Sequence, residues 1–221
     1  MITCYAFSAV PPFAQGLVRD LRVRWALEEA GLPYRVTLVG DDRRPDGQPT
    51  VSRAAYRDIQ PFGQIPAIED GGLTLFESGA IVHYVAERSR ILLPSDARAH
   101  AHAIQWMFAA LNTLEMPIQH LAGIDLFYAG EPWAKERRPG AVEAVRQRLA
   151  ELAASLDGRD YLVDSFSAAD ILMVTVLRLL RHTDLLDEQR ALVAYEERCE
   201  ARPAFAKALA GQMAAFTSDE R

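Results

Sequence analysis

The chain has 221 residues, half of them hydrophobic, and its 24 Lys and Arg against 30 Asp and Glu leave a net charge of −6. That length holds one large domain or two small ones, and the composition supplies a full core. The acidic balance and the lack of a basic cluster argue against a nucleic-acid binder, and no apolar run approaches the ~20 residues of a membrane span. The opening MITCYAFSAV has neither the basic start nor the long apolar stretch of a secretory signal. The two cysteines, Cys4 and Cys199, form no CxxC and no Cys/His zinc spacing. Buried thiols in a reducing cytoplasm are expected.

Residues 2–7, ITCYAF, read as a strand. Residues 18–30, VRDLRVRWALEEA, read as a helix, with Val18, Leu21, Trp25 and Glu28 on one line and Leu27 and Ala30 beside it. Gly31 is placed to end it, and Pro33 follows. Residues 34–39, YRVTLV, alternate and read as a second strand. A strand–helix–strand unit makes the two strands parallel. Residues 40–50 form a polar Gly- and Pro-rich loop, and a short helix follows around 52–58. The stretch FGQIPAIEDGGLTLFES reads as a hairpin: PAIED, a turn at Asp70-Gly71-Gly72, then LTLF. Ser78 opens a helix whose apolar face includes Ile81, Val82 and Val85. The order over residues 1–88 is β-α-β-α-β-β-α.

Strand signals stop there. Residues 89–95 read as a linker, and residues 96–221 as an all-helical domain. The first helix, 96–121, carries Ile104, Phe108, Leu111 and Ile118 at helical spacing. The second, 141–156, carries Val142, Val145, Leu149, Leu152 and Leu156. Residues 168–180 are apolar nearly all round, as in a helix at the centre of a bundle. Ser167 and Asp170 before them have capping-box spacing. Helices near 188–200 and 203–214 complete the set, the last with Pro203 at a permitted first-turn position.

An α/β half followed by a helical half, carrying VRWALEEAGLPY, QPFGQIPAIEDGGLTLFESGAIVHYVAE, FSAADILMVTVL and ARPAFAKALA in that order, resembles the cytosolic glutathione transferase superfamily. The resemblance implies a thioredoxin-like N-terminal domain, a helical C-terminal domain and a homodimer. It implies a cis bond before Pro66, which would turn the N–H and C=O of Ile65 outward to pair with the cysteinyl part of glutathione like an added strand. It places the γ-glutamyl end at Glu77 and Ser78, with Ser78 on the α-carboxylate and Glu77 near the ammonium. The start of a helix suits that anion on its own account. Gln64 is a further candidate for contact with the tripeptide. The plainer reading of the pair is that Ser78 caps the helix and Glu77 complements its dipole.

The residue that activates the glutathione thiol is open between three readings. Counting back from VRWALEE lands on Arg19 and Asp20. Counting forward from the first strand gives Ser8, followed by the long loop SAVPPFAQGL. Either Ser8 reaches the thiol, or Arg19 supplies a positive field, or the site lacks an activator and serves binding. Arg22 and Arg24 lie in the same run, and Arg24 is expected to pair with carboxylates. By resemblance, Phe108, Asn112 and Glu115 are candidates for the wall of the electrophile site, while Trp106 reads as core. The five histidines show no metal spacing, and no metal is expected. The expected activity is conjugation of the glutathione thiolate to a small electrophile. The alternatives are a glutathione-dependent isomerase, dehalogenase or peroxidase, or a non-catalytic binding or regulatory protein on the same fold. A thiol–disulfide oxidoreductase is disfavoured, since the helix start GLVRDL offers no cysteine.

Overall fold

A computed structural model describes residues 1–40 and 50–216, so most of the expected polar loop, residues 41–49, lies outside the described residues. The elements in order are β1 (Ile2–Phe7), α1 (Asp20–Glu29), β2 (Tyr34–Val39), α2 (Arg53–Tyr56), β3 (Ala67–Asp70), β4 (Leu73–Phe76), α3 (Ser78–Ser89), α4 (Ala97–Phe108), α5 (Glu115–Leu126), α6 (Pro132–Leu156), α7 (Ala168–Leu177), α8 (Arg190–Glu200) and α9 (Pro203–Met213). The chain forms two compact units, one of Met1–Leu92 with Arg202 onward and one of Leu93–Ala201.

The first unit is built on a mixed sheet in the order β2-β1-β3-β4. β1 and β2 are parallel, with Ile2 opposite Tyr34 and Phe7 opposite Val39. β3 runs antiparallel to both β1 and β4. The hairpin turns on Gly71 and Gly72, at φ +57° and +89°. Left-handed backbone at both central residues matches the twist of paired strands, and only glycine adopts it without a Cβ penalty. α1 begins at Asp20, two residues later than its apolar spacing suggests. Leu21 N–H bonds to the Val18 carbonyl and Arg22 N–H to that of Arg19, so the chain enters the helix through tighter i→i+3 turns.

The last helix belongs to this first unit, whereas the sequence places it in the helical domain. Its partner is α1. Trp25 packs on Phe205 with ring centroids 4.8 Å apart, and Arg202 forks onto Glu29 at 2.6 and 2.8 Å. Lys207 reaches Glu28 at 2.6 Å. Deeper in, Arg24 pairs with Asp20 at 2.6 Å, and both are buried. Arg24 also donates to the Gly211 carbonyl, while the Gln212 amide donates to Asp20 and to the Val18 carbonyl. A buried pair of opposite charges persists only with such added hydrogen bonds. The expected role of Arg24 as a carboxylate partner is the one observed.

In the second unit α4 runs through one π-helical stretch, Ala109–Leu114, into α5. The apolar spacing over 96–121 continues through this stretch, so periodicity alone reads the two as one helix. α6 starts at Pro132, nine residues before the expected start. Of residues 132–140 only Ala134 is buried, so that part carries no apolar stripe to reveal it. α7 is buried along its whole length and is capped as its spacing predicts. Ser167 Oγ accepts from Ala169 N–H, and Asp170 accepts from Ser167 N–H. Among the described residues no helix is long and apolar enough to cross a membrane.

Candidate functional site

The hairpin register brings Ile65-Pro66 and Glu77-Ser78 to its open end. Ala67 is paired with Phe76, so the residues just outside that pair lie side by side. The Ile65–Pro66 bond is cis. Glu77 sits opposite it, exposed, with φ +69°. That is left-handed backbone at a non-glycine residue, a conformation that costs of order 1–3 kcal/mol and clusters at functional sites.

Ser78 is the first residue of α3 and is buried. Neither it nor Glu77 caps the helix with its side chain. The Ser78 hydroxyl instead accepts a hydrogen bond from Arg22 Nη1 at 3.1 Å. Arg22 is only 2% exposed, so a cation is held out of water beside the N–H groups that open α3. The spacing of Arg22 in the sequence does not by itself give it a role. Its signal was present: Arg22 lies four residues after Val18 and three before Trp25, on the inward line of α1.

Two more residues escaped the sequence. The Tyr56 hydroxyl donates to the Gln64 carbonyl at 2.9 Å, and Gln60 Oε1 accepts from Gln64 N–H at 3.1 Å. The Gln64 side chain is exposed.

The two activator candidates sit differently. Arg19 is half-buried at the N-terminal end of α1, where the helix field is positive. The Ser8 hydroxyl is turned to Gly40, so close that a Cβ there would lie 2.1 Å from its oxygen. Gly40 follows β2, on the side of β1 away from β3 and the cis peptide. Cys4 and Cys199 are both buried, and burial pushes the Cys4 thiol up to about 12. Neither thiol is available as a nucleophile.

The three candidates in the helical unit differ in burial. Phe108 is 62% exposed and Asn112 is exposed, but Glu115 is 5% exposed and accepts from Gln119 within its own helix at 3.0 Å. The π stretch between them shifts the facing of successive residues relative to α-helical spacing. Trp106 is half-buried.

A four-stranded mixed sheet with a cis-proline hairpin, followed by a helical unit, defines a thioredoxin-like domain joined to a helical domain. The family model described as the N-terminal domain of glutathione S-transferase matches residues 21–88, and that for its C-terminal domain matches residues 111–203. The chain belongs to the cytosolic glutathione transferase superfamily. It is 33% identical to the disulfide-bond oxidoreductase YfcG of Escherichia coli, over 88% of this chain and 90% of that one. It is 29% identical to glutathione S-transferase 4 of Zea mays, over 89% of this chain and 86% of that one. Among solved structures, a glutathione transferase of Burkholderia graminis with two glutathione molecules bound per subunit superposes with a TM-score of 0.79 at 28% identity, covering 94% of this chain and 87% of that one.

Proposed function

We propose that the chain binds glutathione at the corner made by the hairpin, the start of α3 and Arg22, and adds its thiolate to a small electrophile. The observation that carries this reading is the buried Arg22–Ser78 pair at a helix start. A guanidinium, a hydroxyl and first-turn N–H groups together suit one carboxylate, here the α-carboxylate of the γ-glutamyl end. Exposed Glu77 beside it suits the ammonium. The Ile65 main chain pairs with the cysteinyl part in the manner of an added strand. Held there, the thiolate attacks the electrophilic carbon. A C–S bond forms, and either a leaving group departs with its electron pair or the resulting anion takes a proton. Positioning accounts for much of the gain, since it makes a two-body encounter effectively unimolecular.

In this reading Arg19 and the α1 N-terminus lower the thiol pKa from its solution value of about 8.5. A nearby cation shifts an ionisable group by about 1–3 pH units. Arg19→Ala is therefore expected to raise the thiol pKa in the glutathione complex by about 1–2 pH units, and Ser8→Ala to leave it unchanged. Ultraviolet titration of the thiolate reads both. The reverse pattern assigns the role to Ser8. A wild-type value equal to that of glutathione in solution, unmoved by either change, makes the protein a glutathione binder without thiol activation.

The assembly expected with this function is a two-fold homodimer, the commonest closed arrangement of identical chains. Light scattering at micromolar concentration should return twice the chain mass, and a monomer mass refutes it.

A second reading is thiol–disulfide exchange. It is favoured by the similarity to YfcG and by the two glutathione molecules in the Burkholderia graminis structure. Because the described cysteines are buried, both reacting thiols would come from glutathione. One thiolate attacks a disulfide sulfur, the S–S bond breaks, and the departing thiolate takes a proton. Parallel assays with an aryl halide and with a glutathione mixed disulfide separate the two.

A further inference from the structure

Gln64 is held at both of its main-chain groups by two buried side chains that belong to no strand of the sheet. Tyr56 holds its carbonyl, at 2.9 Å. Gln60 holds the N–H of the residue that carries that carbonyl, at 3.1 Å. Tyr56 is 1% and Gln60 2% exposed. The two holders are themselves tied together, since Gln60 N–H donates to the Tyr56 carbonyl at 2.9 Å. The Tyr56 ring is fixed by its neighbours: it lies 5.5 Å from the Tyr5 ring and packs in one cluster with Val39, Ile65 and Ala67. Burial also pushes its hydroxyl well above the usual range, so it remains a donor.

The consequence is directional. In a trans peptide the C=O and the following N–H point opposite ways. With the Gln64 carbonyl drawn to the Tyr56 hydroxyl, the Ile65 N–H is aimed away from that buried hydroxyl. We propose that Tyr56 and Gln60 are positioning residues that present the Ile65 N–H as a fixed donor to the cysteinyl carbonyl of glutathione. This rests on the reading that the Ile65 main chain pairs with the cysteinyl part. Its benefit is pre-organisation: a donor already locked in the bound direction loses less freedom when the ligand arrives.

The test compares glutathione with its analogue in which the Cys–Gly amide is an ester, whose cysteinyl carbonyl is a weaker acceptor. Calorimetric Kd values are measured on wild type, Tyr56→Phe and Gln60→Met, with thermal midpoints recorded for each. Tyr56→Phe keeps the ring and its packing, and Gln60→Met supplies a second variant should the first fold poorly. Wild type is expected to prefer glutathione by about three- to tenfold, the worth of one hydrogen bond. Each variant is expected to shrink that preference to less than about twofold, chiefly by binding glutathione less tightly. A full wild-type preference retained in folded variants overturns the proposal, even if their midpoints fall. No preference in wild type removes the Ile65 pairing itself, and the proposal with it.

Discussion

Asp170→Ala is expected to cost about 3–5 kcal/mol of stability, because it leaves several buried hydrogen-bond donors without their acceptor. Asp170 is completely buried at the start of α7. Its carboxylate accepts from Leu162 N–H at 3.0 Å, from Ser167 N–H at 2.8 Å, from the Ser167 hydroxyl at 3.0 Å and from the Tyr195 hydroxyl at 2.9 Å. Alanine leaves these buried donors without their acceptor, at about 1–3 kcal/mol for each left unsatisfied. It also severs a tie from α7 to the preceding loop and to α8. Against a total of about 5–15 kcal/mol for an ordinary domain, the loss is large. Asp170→Asn keeps one acceptor oxygen and should fall between. Urea unfolding followed by far-ultraviolet circular dichroism measures both, and an alanine variant with the wild-type midpoint refutes the assignment.

Ser78→Ala is expected to weaken glutathione binding by about 1.5–3 kcal/mol, the range for a hydrogen bond to a charged group. Arg22→Met should weaken it comparably, because the buried guanidinium supplies the positive field behind that hydroxyl. The two changes should not add. Arg22 Nη1 donates to Ser78 Oγ, so each removes part of what the other provides, and the double variant should fall short of the sum by about 0.5–3 kcal/mol. Calorimetry on the four proteins closes the cycle. If Ser78→Ala leaves Kd unchanged with the fold intact, the carboxylate does not sit at the start of α3. If the losses simply add, Arg22 acts without Ser78.

Much of the architecture is local and was legible. The run at 2–7 reads as a strand, that at 34–39 alternates, the Gly-Gly turn defines a hairpin, and Ser167 and Asp170 stand at cap spacing before an apolar run. Each of these is decided by residues within a few positions of one another. The run of residues from Gln64 to Ser78 also pointed to a glutathione site by resemblance, because a hairpin register carries its two ends together whatever the rest of the chain does. The N-terminal part of α6 was not legible, since an exposed stretch leaves no apolar period.

What the tertiary structure alone decided is which distant groups meet. Arg22 and Ser78 are 56 positions apart, and only the packing of α1 beside α3 brings the guanidinium to the hydroxyl. Gln212 and Asp20 are 192 apart and meet because α9 returns to α1. Sequence spacing placed α9 with the other helices, because a helix's own apolar period says that a face is buried and not which surface buries it. The direction of the Ile65 N–H likewise depends on a tyrosine hydroxyl reaching a main-chain carbonyl. Periodicity records how a segment divides between core and solvent; the pairing of one buried polar group with another is settled only when the folded core denies both of them water.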